Sequence, residues 1–262
     1  MSAGQEAERE EAPQDGGGDA APAEEVRPLA LASSDRPADV PSDGAVPDRA
    51  GVAWYMVARA IVYLFSRLMW RVRVLGRENL PQTTPYVIAP SHRSYIDTPL
   101  VGCAVPRRVR FMAKSGVFDS AFSAKLFGSL GGFPVRRGTP DREALRKCEE
   151  VLARGEPVVL FPEGKRFSGP VLGELLDGPA FVAARANVPI VPIGVGGTER
   201  AMGVGSRWPR PGRVALVVGR PIWPSPPPAS GRVPRRAIQE LTARLRSELQ
   251  ELFDQARELA GQ

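Results

Sequence analysis

Histidine and cysteine are scarce in this chain of 262 residues, which has one histidine and two cysteines. Cys103 and Cys148 are too few for a disulfide framework, and neither belongs to a C-x-x-C or Cys/His cluster. We therefore expect a reduced, cytoplasmic setting and no metal site. Because residues 1–20 are acidic and polar, we also expect no secretory signal peptide.

Aromatic and large apolar side chains are almost absent from residues 1–50, which contain 12 acidic and 4 basic residues. Such a segment cannot bury enough apolar surface to offset the entropy lost on ordering, so we predict a disordered acidic tail. The rest of the chain has 31 Lys and Arg against 17 Asp and Glu, a net charge of +14. A domain this basic is expected to bind nucleic acid, anionic lipid headgroups or phosphorylated small molecules.

Nucleic acid is the least supported of these partners. The sequence contains no recognisable nucleic-acid-binding motif. Aromatic residues, on which unpaired bases stack, make up only 7% of the chain. We therefore expect no nucleic-acid partner.

The chain also lacks a long uninterrupted hydrophobic run. Its most apolar segment lies in residues 51–75 and is interrupted by Arg59 and Arg67. A spanning helix needs about 20 predominantly apolar residues, and two central arginines make spanning costly. On a helix the two arginines share one face with Tyr63 and Ser66. We predict an amphipathic helix in the membrane interface, with packing on the protein's own core as the alternative.

Short apolar runs alternate with helical patterns in the central region. Strands are predicted at Tyr86–Ala89, Arg110–Ala113, Phe133–Val135, Pro157–Phe161, Pro189–Val195 and Arg213–Val218, and helices at Thr98–Ala104, from Asp141 to Gly155 and at Pro179–Ala186. This alternation predicts an α/β fold: one domain, residues 76–222, with a largely parallel or mixed sheet flanked by helices. A Pro-rich spacer, 223–234, and a C-terminal amphipathic helix, 235–262, are predicted to follow. We expect that helix to cover Arg235–Leu259 and to pack on the domain.

Three unusual segments follow predicted strands, where the loops of α/β sheets bind ligands. In the first, SHRSYID, His92 precedes Asp97 by five residues. On a continuous helix five residues rotate by about 140°, so the side chains can meet only if His92 lies in the turn before the helix. Asp97 would then fix the imidazole tautomer while His92 acts as a general base. The alternative is that Ser94 and Asp97 only cap the helix.

The other two segments are rich in cations. GGFPVRRG contains Arg136 and Arg137, whose planar guanidinium groups suit phosphate oxygens, although a solvated basic loop is the alternative. LFPEGKRFSG places Glu163 beside Lys165 and Arg166. These three residues form either a surface ion cluster, which contributes little, or an anion site in which Glu163 braces the cations or a substrate hydroxyl.

The order and separation of these segments resemble the first three sequence blocks of the glycerolipid acyltransferases. The closest resemblance is to the family that acylates 1-acylglycerol-3-phosphate (lysophosphatidate). A fourth block is matched by VPIVPIG, Val188–Gly194, and the similarity covers roughly Trp54–Ile222. The chain departs from the family pattern where Ser91 replaces asparagine, Pro134 an aromatic residue, Arg136 an acidic residue and Lys165 threonine.

The resemblance implies a glycerolipid-acyltransferase-like fold in which His92 is the general base and Asp97 its partner. It also implies that Arg137, Glu163, Gly164 and Arg166 contact the acceptor. We add the neighbouring cations Arg136 and Lys165 to this set of expected acceptor contacts. Backbone N–H groups near the helix start after His92 are expected to stabilise the oxyanion.

The implied reaction moves a fatty acyl group from a thioester of coenzyme A or acyl carrier protein to lysophosphatidate, giving phosphatidate. No cofactor is implied, and both cysteines are interpreted as core residues. Alternatives are another acceptor (glycerol-3-phosphate, another lysophospholipid or a glycolipid) and, more distantly, a non-enzymatic module that binds anionic lipid. Because these substrates partition into lipid, we expect membrane lipids as partners and a peripheral or interfacially anchored location on the cytoplasmic face of the membrane.

Overall fold

The computed structural model describes residues 49–121, 124, 127–128, 130–135, 142–226 and 232–262. The predicted acidic tail lies outside this part of the chain except for its last two residues, and part of the Pro-rich spacer also lies outside it. The helices are α1 (Arg49–Trp70), α2 (Asp97–Ala104), α3 (Arg142–Ala153), α4 (Gly178–Ala186), α5 (Thr198–Met202) and α6 (Arg235–Leu259).

The strands form one seven-stranded sheet. They are β1 (Arg73–Leu75), β2 (Val87–Pro90), β3 (Arg110–Lys114), β4 (Gly132–Val135), β5 (Val158–Val159), β6 (Ile190–Gly196) and β7 (Ala215–Val218), in the spatial order β1-β7-β6-β2-β5-β3-β4. Strands β2 to β6 are mutually parallel, whereas β7 is antiparallel to β6 and β1 is parallel to β7. The predicted α/β class with a largely parallel, mixed sheet is confirmed.

Successive residues of the central strands face two separate hydrophobic cores. Val87 and Ala89 of β2 pack in the core formed with α3, α4 and α6, while Ile88 packs in the core formed with α2 and the end of α1. Side chains alternate along a strand, so burial of both faces makes β2 apolar throughout. The residues that follow its carboxyl end therefore emerge at an edge of a fully covered sheet.

Helix α6 packs directly against β6 over the range that the sequence predicts. Its buried side chains are Ile238, Leu241, Leu245, Leu249, Phe253 and Ala256. Gly194 and Gly196 make this approach possible, because a β-carbon at either position would overlap the α6 backbone at Leu252 or Ala256. The C-terminal helix is thus part of the domain's core.

Helix α1 is shorter than the predicted helical segment. It ends at Trp70, Arg71 adopts a left-handed conformation with a φ of 44°, and the chain then enters β1. Such a φ interrupts a right-handed helix, and the alternating Val72 and Val74 suit a strand. Among the described residues, none of the helices combines the length and apolarity that crossing a bilayer requires.

The side of α1 that contacts the domain is partly polar, and its exposed side is apolar. Arg59 donates hydrogen bonds to the carbonyls of Pro106 and Cys103 at 3.1 and 3.3 Å, and Ser66 is buried. The exposed apolar residues, which we call the outer face of α1, are Trp54, Met56, Val57, Ile61, Leu64, Phe65 and Leu68. Helix α1 thus packs on the domain, as in the alternative, through its partly polar side and its end at Trp70. The interfacial role of its outer face stays a prediction.

Candidate active site

The sole histidine lies in the turn between β2 and α2. β2 ends at Pro90 and α2 begins at Asp97, so no continuous helix separates His92 from Asp97. Nδ1 of His92 lies 3.0 Å from Oδ2 of Asp97. The carboxylate is fully buried, and the imidazole is 13% exposed. The pair therefore has the contact that a catalytic role requires, and Nε2 is the ring nitrogen left for a substrate.

The same carboxylate oxygen also organises the turn. Oδ2 of Asp97 accepts the backbone N–H groups of Arg93 and Ser94, each at 2.7 Å. The hydroxyl of Ser94 donates to the carbonyl of Met202 at the end of α5. Asp97 thus holds the turn and orients the imidazole at once, so the structural and catalytic interpretations of this residue are compatible.

The ring of His92 stacks on Phe161, which follows β5. The ring centroids are 3.9 Å apart, with an angle of 26° between the planes. Phe161 is partly buried and covers one face of the imidazole. With Asp97 holding Nδ1, this stacking restricts rotation of the ring and keeps Nε2 in one direction.

The backbone of His92 is held on both sides by the third sequence block. Its N–H donates to Oε2 of Glu163 at 2.8 Å. Its carbonyl accepts the N–H of Phe167 at 3.0 Å and Nη1 of Arg93 at 2.9 Å. Fixing the backbone and the ring together gives the preorganisation that general-base catalysis depends on.

Glu163 is buried, and protein donors occupy both of its oxygens. Nη1 of Arg93 lies 2.8 Å from Oε1 and 3.0 Å from Oε2, and the N–H of Gly173 donates to Oε1 at 2.9 Å. With a residue exposure of 3%, Glu163 has little access to a substrate. This geometry favours a positioning role over the acceptor contact that the resemblance implies.

The two cations of the third block, Lys165 and Arg166, lie in a different environment from the buried Glu163. Lys165 and Arg166 both line the pocket that His92 also lines. Arg166 lies over the ring of Tyr95, 3.5 Å from its centroid, and Lys165 lies 4.9 Å from the ring of Phe167. Gly164 has a φ of 66°, which favours glycine, so its contribution is the turn that presents these cations.

Arg136 and Arg137, the other predicted acceptor contacts, lie outside the described residues. β4 ends at Val135, immediately before them, and β4 is next to β3 in the sheet. Their assignment to the acceptor therefore stays a prediction.

The pocket beside His92 is mainly apolar and has a volume of about 580 Å³. It lies among α1, α2 and β3. Besides His92, Arg59, Lys165 and Arg166, most of its lining is apolar, including Tyr55, Val62, Pro99, Val109, Phe111 and Leu130. A pocket of this size and character suits a hydrocarbon chain, with a few polar groups to fix its orientation.

Residues 71–196 match the family model described as Acyltransferase. This range includes the His92–Asp97 pair, both segments of cations and the strand of the fourth block. The chain is therefore similar to the acyltransferase family over the residues that carry this site.

Known proteins similar to the acyltransferase domain carry a more specific description. The chain is 31% identical over 157 residues to the chloroplastic 1-acyl-sn-glycerol-3-phosphate acyltransferase LPAT1 of Arabidopsis thaliana, covering 58% of this chain and 44% of LPAT1. It is 29% identical over 166 residues to the 1-acyl-sn-glycerol-3-phosphate acyltransferase of Bacillus subtilis, covering 63% of this chain and 80% of that protein. The resemblance to this family is thereby confirmed.

A solved structure shares the fold of the acyltransferase domain. It is the crystal structure of the 1-acyl-sn-glycerophosphate acyltransferase PlsC from Thermotoga maritima. The TM-score is 0.64 at 23% identity, and the match covers 78% of this chain and 81% of that one.

The cysteines of the acyltransferase domain are buried in its core, as expected. Burial raises the pKa of the Cys148 thiol to about 12 and raises the pKa of the Cys103 thiol. Both thiols are therefore protonated at neutral pH and unsuited to nucleophilic attack. Within the described part of the chain, no group of three His, Cys, Asp or Glu residues could hold a metal ion.

The backbone N–H groups next to His92 are not placed as the oxyanion hypothesis requires. Those of Arg93 and Ser94 donate to Asp97, and that of His92 itself donates to Glu163. These three N–H groups already have acceptors within the protein, and an oxyanion contact from the helix start itself stays a prediction. Among the described residues, Arg59, Lys165 and Arg166 are the positive groups that line the pocket with His92.

Two residues of the site, Arg93 and Phe161, are missed by sequence reasoning. Arg93 is 1% exposed, and no spacing rule links it to Glu163, which follows 70 residues later. Its position next to the only histidine was the one sequence feature that indicated a role for Arg93 in the site. Phe161 belongs to the third block itself, but its contact with the ring of His92 depends on the packing of β5 beside β2.

Proposed function

We propose that this chain is a lysophosphatidate acyltransferase. It transfers a fatty acyl group from a thioester of coenzyme A or acyl carrier protein to the free hydroxyl of 1-acylglycerol-3-phosphate, giving phosphatidate. The observation that carries the proposal is the His92–Asp97 pair at the wall of an apolar pocket that Lys165 and Arg166 also line. The apolar pocket suits the acyl chain, the two cations suit the anionic acceptor, and His92 supplies the base that this reaction uses.

In the proposed mechanism His92 activates the acceptor hydroxyl. Nδ1–H donates to Asp97, so Nε2 accepts the hydroxyl proton while the oxygen attacks the thioester carbonyl. The tetrahedral intermediate collapses, the C–S bond breaks, and the imidazolium returns its proton to the departing thiolate. A positioned base typically contributes ~10²–10⁴-fold to such a step, and the buried Asp97 stabilises the imidazolium.

The acceptor phosphate is proposed to bind the cations of the site. Arg166 supplies a planar guanidinium for phosphate oxygens, and its contact with Tyr95 limits its movement. Lys165 supplies a second positive charge. Arg136 and Arg137 complete the proposed set, whereas Glu163 and Gly164 act by shaping the segment that holds these cations.

Membrane binding through α1 is part of the proposed function. The outer face of α1 exposes seven large apolar residues, and a large exposed apolar patch marks a site of contact with a protein or a membrane. The opposite side of α1 contributes Tyr55, Arg59 and Val62 to the pocket. A helix that enters the lipid on one side and lines the pocket on the other would deliver both lipid substrates from the membrane, at its cytoplasmic face.

The proposal is tested by an acceptor panel with the purified chain. Vesicles that contain lysophosphatidate are incubated with a long-chain acyl-coenzyme A or the matching acyl carrier protein thioester, and phosphatidate is measured. Glycerol-3-phosphate, lysophosphatidylglycerol and a lysoglycolipid are tested in parallel. Product from another acceptor alone would reject lysophosphatidate and retain acyl transfer. No product from any acceptor would reject the enzyme.

A His92→Ala variant separates the enzyme from a non-enzymatic lipid-binding module. The enzyme loses turnover but still binds vesicles. A binding module would have no turnover to lose, and its vesicle affinity would be unchanged.

A further inference from the structure

The segment between α5 and β7, residues 203–213, exposes an indole that the catalytic site does not use. Trp208 is 77% exposed and Val204 is 58% exposed. Tryptophan is highly buried on average in folded domains, and its ring is enriched where one end is apolar and the other wet, as at a membrane surface. We refer to this segment as the 203–213 loop.

The charge of the 203–213 loop is entirely positive. Its sequence, GVGSRWPRPGR, contains three arginines and no acidic residue, and Arg207, Arg210 and Arg213 are all exposed. An exposed indole among guanidinium groups complements a surface that offers an apolar layer beneath anionic headgroups. A protein partner would have to supply both an apolar socket and several carboxylates.

Hydrogen bonds fix the loop to the end of α1. Nε1 of Trp70 donates to the carbonyl of Arg210 at 2.9 Å, and the N–H of Gly212 donates to the carbonyl of Met69 at 3.2 Å. The ring of Phe65, part of the outer face of α1, lies edge-on to Trp70 with centroids 5.5 Å apart. The loop is therefore anchored where the outer face of α1 ends.

The sheet topology places the loop at the same edge as the catalytic histidine. The loop leads into β7, whose first residue, Ala215, pairs with Gly196, the last residue of β6. β2 runs parallel to β6 and ends at Pro90, two residues before His92. The carboxyl ends of β2 and β6 thus share an edge with the 203–213 loop.

We propose that the 203–213 loop is a second lipid contact, in which Trp208 enters the headgroup region of an anionic bilayer and the three arginines bind its phosphates. This inference rests on the proposed membrane function and adds to it. Helix α1 alone leaves the domain free to tilt about one line of contact. A second contact at the same sheet edge holds the mouth of the site towards the lipid.

The chain offers matched control residues at the opposite edge of the sheet. Trp223 is 55% exposed, and Arg220 is also exposed. Both flank Ile222, which pairs with Ile190 at the start of β6. Since β6 has seven residues and a strand rises about 3.3 Å per residue, they lie about 20 Å along the strand direction from the catalytic edge.

The test is vesicle co-sedimentation of the full chain and its variants. Trp208→Ala should weaken binding to phosphatidylcholine vesicles and to vesicles that also contain phosphatidylglycerol. Arg207→Gln, Arg210→Gln and Arg213→Gln combined should weaken binding at least ten-fold on the anionic vesicles alone, and added salt should remove the difference. Trp223→Ala and Arg220→Gln should bind like the unaltered chain. Equal binding by the loop variants and the controls would overturn the proposal.

Activity on soluble substrates distinguishes a lipid contact from a structural role. With a short-chain thioester and a short-chain acceptor free of vesicles, Trp208→Ala should turn over at the unaltered rate. If Trp208→Ala loses the same fraction of its activity with and without vesicles, the lipid contact is overturned. It is also overturned if the unaltered chain is a dimer that Trp208→Ala dissociates. If vesicle binding depends on the loop but the chain has no turnover, only the proposed function is refuted. If the chain turns over but the loop variants bind vesicles normally, only this inference is refuted.

Discussion

The guanidinium group of Arg93 and the carboxylate of Glu163 form an ion pair that solvent barely reaches. Nη1 of Arg93 lies 2.8 Å from Oε1 of Glu163, with side-chain exposures of 1% and 0%. Nη2 of Arg93 donates to the carbonyl of Val171 at 3.1 Å, and the guanidinium lies 4.5 Å from the ring centroid of Phe253 on α6. Burying such a pair seldom adds net stability, so we interpret it as a device that positions His92.

Replacing Glu163 by glutamine should destabilise the domain, because the charge of Arg93 then stays buried without a counter-ion. Breaking a buried pair from one side costs about 3–5 kcal/mol, which urea unfolding would measure. The surface pair Arg244–Glu248, with side-chain exposures of 60% and 32%, is the control, and Arg244→Gln should leave unfolding nearly unchanged.

The double variant Arg93→Met with Glu163→Leu separates stability from positioning. Removing both charges should restore most of the unfolding free energy, while kcat stays low because the His92 N–H has lost its acceptor. If E163Q is as stable as the unaltered chain and only its KM for the acceptor rises, Glu163 contacts the acceptor instead of positioning His92.

Removing the base or its partner should reduce turnover without unfolding the protein. His92→Ala is expected to lower kcat by about 10²–10⁴-fold, with little change in KM, because the imidazole acts in the transition state. Asp97→Asn should also lower kcat, since an amide no longer secures the tautomer or stabilises the imidazolium. Thermal unfolding is the accompanying measurement, and retained activity in H92A would eliminate the proposed base.

The catalytic turn could be predicted from the sequence because its conformation depends on residues close together in the chain. A buried strand, a proline and a helix start within a few residues force His92 and Asp97 onto the same turn. The same reasoning located α6 over Arg235–Leu259, where leucines recur at helical spacing. In both cases the signal lies within one segment of the chain.

Features that depend on tertiary contacts could not be predicted in this way. Periodicity identified two faces of α1, but an apolar face normally turns inward. Its outward orientation follows from Arg59, which reaches carbonyls of residues more than 40 positions away. Likewise, the burial of Glu163 depends on Arg93, 70 residues earlier. A carboxylate beside Lys165 and Arg166 indicates an ion cluster until the fold supplies that distant partner.

Replacing Arg166 should mainly weaken acceptor binding. Arg166→Ala is expected to raise the KM for lysophosphatidate by about ten-fold or more, because a charge-assisted hydrogen bond contributes roughly 1.5–3 kcal/mol. An uncharged acceptor, monoacylglycerol, is the matched substrate control, and its KM should not change. A fall in kcat alone, equal for both acceptors, would place Arg166 elsewhere in the reaction, for example at the oxyanion.

Burial of the Cys148 thiol predicts a loss of stability in alkali. Burial raises the pKa of Cys148 from 9.0 to about 12, so the folded chain keeps the thiol protonated while the unfolded chain ionises it. Its contribution is complete below pH 9 and declines as the pH rises towards 12. Between pH 9 and 10 the free energy of unfolding should fall by about 1 kcal/mol on this account.

A Cys148→Ala variant is the control for this pH dependence. Its cavity lowers stability at every pH, but its urea-unfolding free energy should fall less between pH 9 and 10. Tyr86, whose pKa burial raises from 10.0 to about 12, contributes mainly above this window and equally in both proteins. Identical slopes in the two proteins would contradict the assignment to Cys148.

Gln250 of α6 should act on catalysis from outside the pocket. Its Oε1 accepts the N–H of Leu172 at 2.9 Å, and its Nε2 donates to the carbonyl of Pro170 at 3.1 Å. These bonds hold the segment that follows Arg166 and contains Gly173, whose N–H donates to Glu163.

Gln250→Ala is therefore expected to lower kcat/KM several-fold, because Glu163 and the cations lose part of their support. Gln239, exposed on the same helix, is the matched control, and Gln239→Ala should be silent. Gln250→Glu keeps the acceptor for Leu172 and should recover part of the loss. If instead both alanine variants reduce activity equally and in proportion to their loss of thermal stability, α6 supports the fold alone and the link from its surface to the catalytic turn is refuted.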